Sequence, residues 1–222
     1  MPSTRLSTAT PFCKKCGKPI EKNSLFSLFF ARNSLCLRCF RELKPSFFRW
    51  KIGSIQATAI YPYEQEFQTH LYLYKGCGDI ELAPTFLCRV RFLLRLRYFH
   101  YHLVYVPSHP SHIDKRGFDH VPLIFKGIGK SVNCPIEKTK DVKQADLSKQ
   151  QRKNIGQYMQ LTGGKRLMGK RILLVDDVYT TGSSIKSCIR LLKRLKPKSI
   201  SVLVLAKVSL GRNGGKHSAR QL

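Results

Sequence analysis

Four apolar residues, Ile172, Leu173, Leu174 and Val175, run directly into two carboxylates, Asp176 and Asp177, and then into a loop of small residues, Thr180, Thr181, Gly182, Ser183 and Ser184. A short unbroken apolar run reads as a strand buried on both faces, the kind found in parallel sheets covered by helices. After the loop, Ile185, Cys188, Ile189 and Leu192 recur at i, i+3, i+4 and i+7, which predicts an amphipathic helix over 183–195. A second buried strand is expected over 199–206. Strand, helix and strand in that order form a parallel βαβ unit.

The loop also has a chemical use. Backbone N–H groups at a helix N-terminus collect a phosphate, and the helix dipole favours its charge. The Thr and Ser hydroxyls add donors, and Gly182 lets the backbone approach the anion closely. Adjacent acids at a strand end suit the vicinal hydroxyls of a ribose, where open α/β sheets bind ligands. An ordinary strand-to-helix turn accounts for one acid or one serine, but poorly for the whole set. No Gly-Lys-Ser/Thr follows, so this is not a P-loop.

Elsewhere, strands are expected over 54–61 and 103–106, ended by Pro62 and Pro107, with weaker signals near Ile136 and Tyr158. Helices are expected over 82–98, with Pro84 in the first turn, and over 118–130. In the former, Phe86, Val90, Leu93, Leu94 and Leu96 form the apolar stripe, and Arg89, Arg91, Arg95 and Arg97 face elsewhere. The expected organisation is a Cys-rich module over 1–50 (1–10 flexible), an α/β domain over 51–206, and a mobile basic tail over 207–222.

Cys13-x2-Cys16 and Cys36-x2-Cys39 are two CxxC pairs separated by nineteen residues, a zinc-ribbon spacing. Each pair supplies two thiolates to a tetrahedral Zn²⁺, and Lys14, Lys15, Lys18, Arg38 and Arg41 favour their ionisation. A redox CxxC would sit at a helix start beside a strand, a context absent here. A structural zinc lets a segment fold that is too small for its own core. Cys88 and Cys188, on apolar helix faces, read as core thiols.

Forty Lys and Arg stand against thirteen Asp and Glu, a formal charge of +27. That balance suits polyanionic partners: nucleic acid, phosphorylated small molecules or an anionic membrane surface. Basic groups recur at Arg89/Arg91/Arg95/Arg97, at Lys186/Arg190/Lys193/Arg194 with Lys196 and Lys198, and in the tail from Lys207 to Arg220. Phe92, Tyr98, Phe99 and Tyr101 lie near the first group and could stack unpaired bases, unless they belong to the core. No apolar run approaches the ~18 residues of a transmembrane helix, and residues 1–12 lack the apolar stretch of a secretory signal. A cytoplasmic protein is expected, with peripheral attachment to the membrane as a variant.

The segment from Ile172 to Ser184 resembles the phosphoribosyl pyrophosphate (PRPP) motif of type I phosphoribosyltransferases. Together with the four cysteines it resembles the ComF family, competence-associated phosphoribosyltransferase-like proteins of the ComFC type. Tyr105, Val106, Pro107 and Ser108 with Arg116, Gly117 and Phe118 resemble the family's PVP…RGFNQ stretch. Gln144, Leu147, Arg152 and Asn154 resemble its Q-x2-L-x4-R-x-N element, and Lys75, Gly76, Gly78 and Asp79 its KxxGD turn. The chain departs from RGFNQ in reading Asp119-His120 at the last two places.

The resemblance implies a phosphoribosyltransferase-type twisted parallel sheet flanked by helices, preceded by a small four-cysteine zinc-finger module. It implies that Asp176 and Asp177 hold the ribose hydroxyls, that Thr180–Ser184 hold the 5′-phosphate, and that Pro107, Ser108 and His109 form the pyrophosphate loop. Lys115, Arg116 and Arg152 are the candidates for stabilising departing pyrophosphate alongside Mg²⁺. Two functions follow. One is a PRPP-binding protein of natural transformation that handles single-stranded DNA through Lys186, Arg190, Lys193 and Arg194, with partners in the DNA-uptake machinery. The other is a catalytic phosphoribosyltransferase acting on an unidentified nucleophile, with no direct DNA role.

Overall fold

The structure is a computed structural model, and it describes residues 11–20, 35–138 and 159–208. In chain order the elements are α1 (Leu37–Glu42), β1 (Phe48–Ile52), β2 (Ile55–Pro62), α2 (Gln65–Lys75), a 3-10 helix (Ile80–Leu87) and α3 (Arg91–Tyr98). Then come β3 (His102–Tyr105), α4 (Pro110–Arg116), α5 (His120–Phe125), β4 (Lys130–Ser131) and β5 (Ile136–Lys138). The last are β6 (Met159–Leu161), a 3-10 turn (Lys165–Leu167), β7 (Arg171–Tyr179), α6 (Ser183–Lys193) and β8 (Ser199–Lys207).

Residues Ile172 to Val175 are wholly buried, and their alternation sends Leu173 and Val175 into one apolar cluster and Ile172 and Leu174 into another. A strand hidden on both faces belongs inside a sheet. The six strands run in the order β1-β2-β8-β7-β3-β4, with only the β1–β2 pair antiparallel. β5 and β6 form a separate antiparallel pair. α6 covers one face through Ile185, Cys188, Ile189 and Leu192, the expected stripe. α2, α5 and the 3-10 helix cover the other. The protein is mixed α/β with a mainly parallel sheet, as its sequence pattern implied.

Four expectations are corrected. The segment 82–98 is not one helix: it divides into the 3-10 stretch and α3, with a break at Cys88–Val90. Pro84 lies in mid-segment without an N–H, and the Asp79 carboxylate fixes the start by accepting from the Glu81 N–H. Leu93 and Leu96 are each 58% exposed rather than part of the core, and Phe92 is 72% exposed. The expected helix over 118–130 shrinks to α5, because the chain turns at Gly127 with φ of +79°. Finally, β7 continues past Val175 to Tyr179, so Asp176 and Asp177 sit within the paired strand rather than beyond its end.

The cysteine-bearing residues pack onto this frame. Cys13, Ile20, Leu35, Cys39 and Leu43 share one apolar cluster with Tyr61, Phe67 and Phe86. Lys15 pairs with Glu42 at 2.6 Å, Lys14 pairs with Glu81, and Arg89 donates to the carbonyls of Phe40 and Leu43. β1 crosses residue 50 and joins the main sheet.

Candidate functional site

A cleft of about 260 Å³ opens where the ends of β3 and β7 meet the start of α6. Pro107, Ser108, His109, Arg116, Asp176, Asp177, Thr180, Gly182, Ser183 and Ser184 all line it. Thr181 and Lys115 are not among its lining residues, and Arg152 lies outside the described residues, as do Gln144 and Asn154. Lys75, His112, His120, Lys138 and Tyr179 line the cleft as well. Of these, Lys75, His120 and Tyr179 fell within recognisable motifs without being singled out for the site, His120 at a place where the chain departs from RGFNQ. His112 and Lys138 are single residues in ordinary surroundings, and folding alone brings them to the cleft.

Local geometry explains the phosphate-type loop. Gly182 caps α6 with φ of +71°. A Cβ there would fall 2.3 Å from the Tyr179 hydroxyl, so only glycine lets the loop lie against that ring. Tyr179 is braced edge-on by Trp50 at 4.9 Å. The Thr181 hydroxyl is within 3.1 Å of the Ser183 hydroxyl and accepts from the Ser183 N–H at 3.4 Å. The first turn of α6 therefore presents hydroxyls and backbone donors to the cleft. Across from it, His109 caps α4, its ring accepting from the Ser111 N–H, and the Ser108 hydroxyl donates to Asp119 at 3.3 Å.

The two carboxylates differ. Asp177 is 7% exposed. Its Oδ2 receives Lys75 Nζ at 2.5 Å and His120 Nε2 at 3.1 Å, and its Oδ1 accepts from the Val178 N–H. Burial alone would raise its pKa, but the Lys75 charge and the His120 hydrogen bond outweigh burial and hold it well below the usual carboxylate range. Asp176 is partly exposed and accepts from the Asp177 N–H. Burial and the neighbouring Asp177 charge push its carboxyl well above the ordinary value. One acid is thus committed to the protein's own cations, and its neighbour is the more weakly held of the two.

The four sulfur atoms of Cys13, Cys16, Cys36 and Cys39 all lie within 4.8 Å of one another, a group that can hold a metal ion. Cys16 and Cys36 are 3.7 Å apart, against about 3.8 Å for two thiolates on a tetrahedral zinc. Burial works against the Cys13 thiolate, yet backbone hydrogen bonds from Cys36, Cys16 and Lys15 bring it down to about 7. Burial and the neighbouring thiols push Cys39 far up, a conflict that a divalent cation relieves.

Lys186, Arg190 and Lys193 on α6 and Arg194 just past its end are all exposed, on turns after the loop and outside the cleft. The first basic group is less free: Arg89 is bonded to carbonyls as above, and Arg91 donates to those of Lys126 and Ile124. Arg95 and Arg97 remain exposed beside Phe92 and Phe99, which are on the surface and not in the core. Beyond Val208 the tail is outside the described residues. No helix among the described residues is long and apolar enough to cross a membrane.

A family model for the phosphoribosyl transferase domain matches residues 113–219. The competence protein ComFC of Streptococcus pneumoniae (strain ATCC BAA-255 / R6) is 28% identical over 151 residues, covering 67% of this chain and 67% of that protein. The competence protein ComFC of Bacillus subtilis (strain 168) is 24% identical over 196 residues, 87% of this chain and 76% of that one. A solved adenine phosphoribosyltransferase is similar at 14% identity and a TM-score of 0.34, over 77% of this chain and 90% of that one, too distant to inform the site.

Proposed function

Because the chain is a ComFC-type phosphoribosyltransferase-like protein, we propose that it binds PRPP in the cleft and works in DNA uptake during natural transformation, handling single-stranded DNA. The observation that carries the PRPP reading is convergence. Phosphate-type donors, two carboxylates, the Pro107–His109 turn and the cations Lys75, Arg116 and Lys138 line one cleft. In this reading the N-terminal turn of α6 takes the 5′-phosphate, with the hydroxyls of Thr181 and Ser183 beside it. Asp176 accepts from the ribose hydroxyls, while Asp177 holds the cationic wall in place. Arg116 and the Pro107–His109 turn take the pyrophosphate, and Lys115, exposed on the same helix, adds charge at its rim. Mg²⁺ enters with the ligand and offsets pyrophosphate charge. Four clustered thiols of matching spacing support structural zinc.

Support for single-stranded DNA comes from the net charge, the exposed cations of α6 and the surface rings of Phe92 and Phe99. Clustered thiols kept reduced fit the cytoplasm, where incoming strands and the uptake machinery would be met. Calorimetric titration with PRPP, with and without Mg²⁺, tests the cleft. Binding that strengthens with Mg²⁺ and weakens about ten- to a hundredfold in Ser184→Ala, a residue that lines the cleft, is expected, on the loss of one charge-assisted hydrogen bond. No heat from the wild-type protein at millimolar PRPP would refute the reading.

A further inference from the structure

Four side chains from four stretches of the chain form a line along one wall of the cleft. Lys75, the last residue of α2, reaches Asp177 Oδ2, and His120, the first residue of α5, places Nε2 3.1 Å from the same oxygen. On the other side of the ring, Nδ1 lies 2.6 Å from a guanidinium nitrogen of Arg116. A guanidinium can only donate, so Nδ1 is the acceptor and carries no proton. The neutral ring then has its proton on Nε2, from which it donates to Asp177. Both neighbours demand the same tautomer.

We propose that His120 is a positioning residue: as the Nε2–H tautomer it links Asp177 to Arg116 and holds the guanidinium at the cleft wall, and its protonation releases Arg116 and weakens PRPP binding. The ligand rests on the PRPP reading above; the hydrogen-bond relay itself does not.

The groups facing the ring come from every element around it. Asp177 belongs to β7, and Lys75 to α2, from which the Tyr74 hydroxyl also donates to the His120 carbonyl. Arg116 belongs to α4, and Asp119, just before α5, lies 3.8 Å from Nδ1. The residue is 6% exposed. Burial lowers its pKa below the ordinary histidine value, with Lys75 and Arg116 adding to that effect and Asp177 opposing it. In the imidazolium, an Nδ1–H would point at a guanidinium that cannot accept it. Arg116 is the more exposed of the two, and it is the one that moves.

The test measures Mg²⁺–PRPP affinity from pH 8 to pH 5 for the wild type, His120→Gln and His120→Leu. A glutamine amide donates to Asp177 and accepts from Arg116 but does not titrate. At pH 8, His120→Leu should bind about tenfold more weakly than wild type, and His120→Gln should recover most of that loss. On acidification toward pH 5 the ratio of wild-type to His120→Gln affinity should fall progressively, since the ligand's own phosphates titrate identically in both. A constant ratio, or a wild type that tightens relative to the glutamine variant, overturns the proposal. Imidazole ¹⁵N shifts of the ligand-free protein at pH 8 should report Nε2–H, and an Nδ1–H signature overturns the relay whatever PRPP does. If wild type fails to bind PRPP while the Nε2–H tautomer is seen, the PRPP reading falls and takes the positioning role with it.

Discussion

Replacing Asp177 by Asn should destabilise the protein while the same change at Asp176 should not, although the two residues are adjacent. Asp177 takes Lys75 and His120 on one oxygen and a backbone N–H on the other. An asparagine keeps the backbone bond but turns an amide donor toward an ammonium and an imidazole N–H. Removing one partner of a buried ion pair costs roughly 3–5 kcal/mol. The Lys75 side chain is 31% exposed and can turn partly to water, which reduces the expected loss to roughly 2–3 kcal/mol. For a chain of this size that is a fall in Tm of about 4–12 °C. Asp176 is the reverse case: burial and its neighbour's charge already disfavour its ionised form. Asp176→Asn should therefore stay within about 0.5 kcal/mol of wild type or gain stability. Urea and thermal unfolding without ligand provide the assay. The pH dependence carries a sign for each. Asp177 has a depressed folded pKa, so its contribution is complete above the unfolded value of about 3.9 and disappears as pH falls through the folded value. Asp176 has a raised one, so wild type should gain on Asp176→Asn as pH falls from its folded pKa toward the unfolded value. Equal losses in the two variants, or a greater loss at Asp176, would refute the assignment.

Purified, unchelated protein should carry one zinc per chain by elemental analysis, and Cys36→Ser should lower both zinc content and solubility; a metal-free wild type would sink the site. Gly182→Ala should abolish PRPP binding and cost stability, because the new methyl meets the Tyr179 ring at a positive φ; an unaffected titration would show that the loop can shift. Single-stranded DNA should bind with a log-affinity slope against log salt of about −0.7 per phosphate contacted. Neutralising Lys186, Arg190, Lys193 and Arg194 together should flatten that slope in a filter or mobility assay while PRPP binding persists; an unchanged slope would move the DNA surface away from α6.

What could be read from sequence was what lies contiguous in it. The β7–loop–α6 segment carries strand, acids, donors and helix within some twenty residues, so the pattern and its chemistry were visible together. α2 escaped notice although Phe67, His70, Leu71 and Tyr74 follow the helical period, because two of those four buried residues are histidine and tyrosine rather than aliphatic. The residues 82–98 misled in the opposite way, as apolar density concealed a break at Cys88–Val90 between a 3-10 stretch and an α-helix. Arg89 and Arg91 looked like surface charge, yet each closes backbone carbonyls of a distant segment. Lys75, His120 and Lys138 reach the cleft only through tertiary packing. No spacing rule links residues brought from α2, α5 and β5.

The apolar cluster that runs from Cys13 and Cys39 through Leu43 to Tyr61 and Phe86 has no seam at residue 50. Parts with separate cores can be trimmed, exchanged or lost one at a time, but these share theirs. A shortened chain beginning after α1 would lay bare the side chains on which Leu35, Cys39 and Leu43 rest, and would be prone to clump. Chelation or thiol oxidation at the four cysteines would be felt on the sheet that carries the cleft, as one melting event rather than two. The cysteine-rich segment and the sheet that carries the cleft are therefore built on one core. A change that removes the thiols uncovers the face beneath them unless that face changes too.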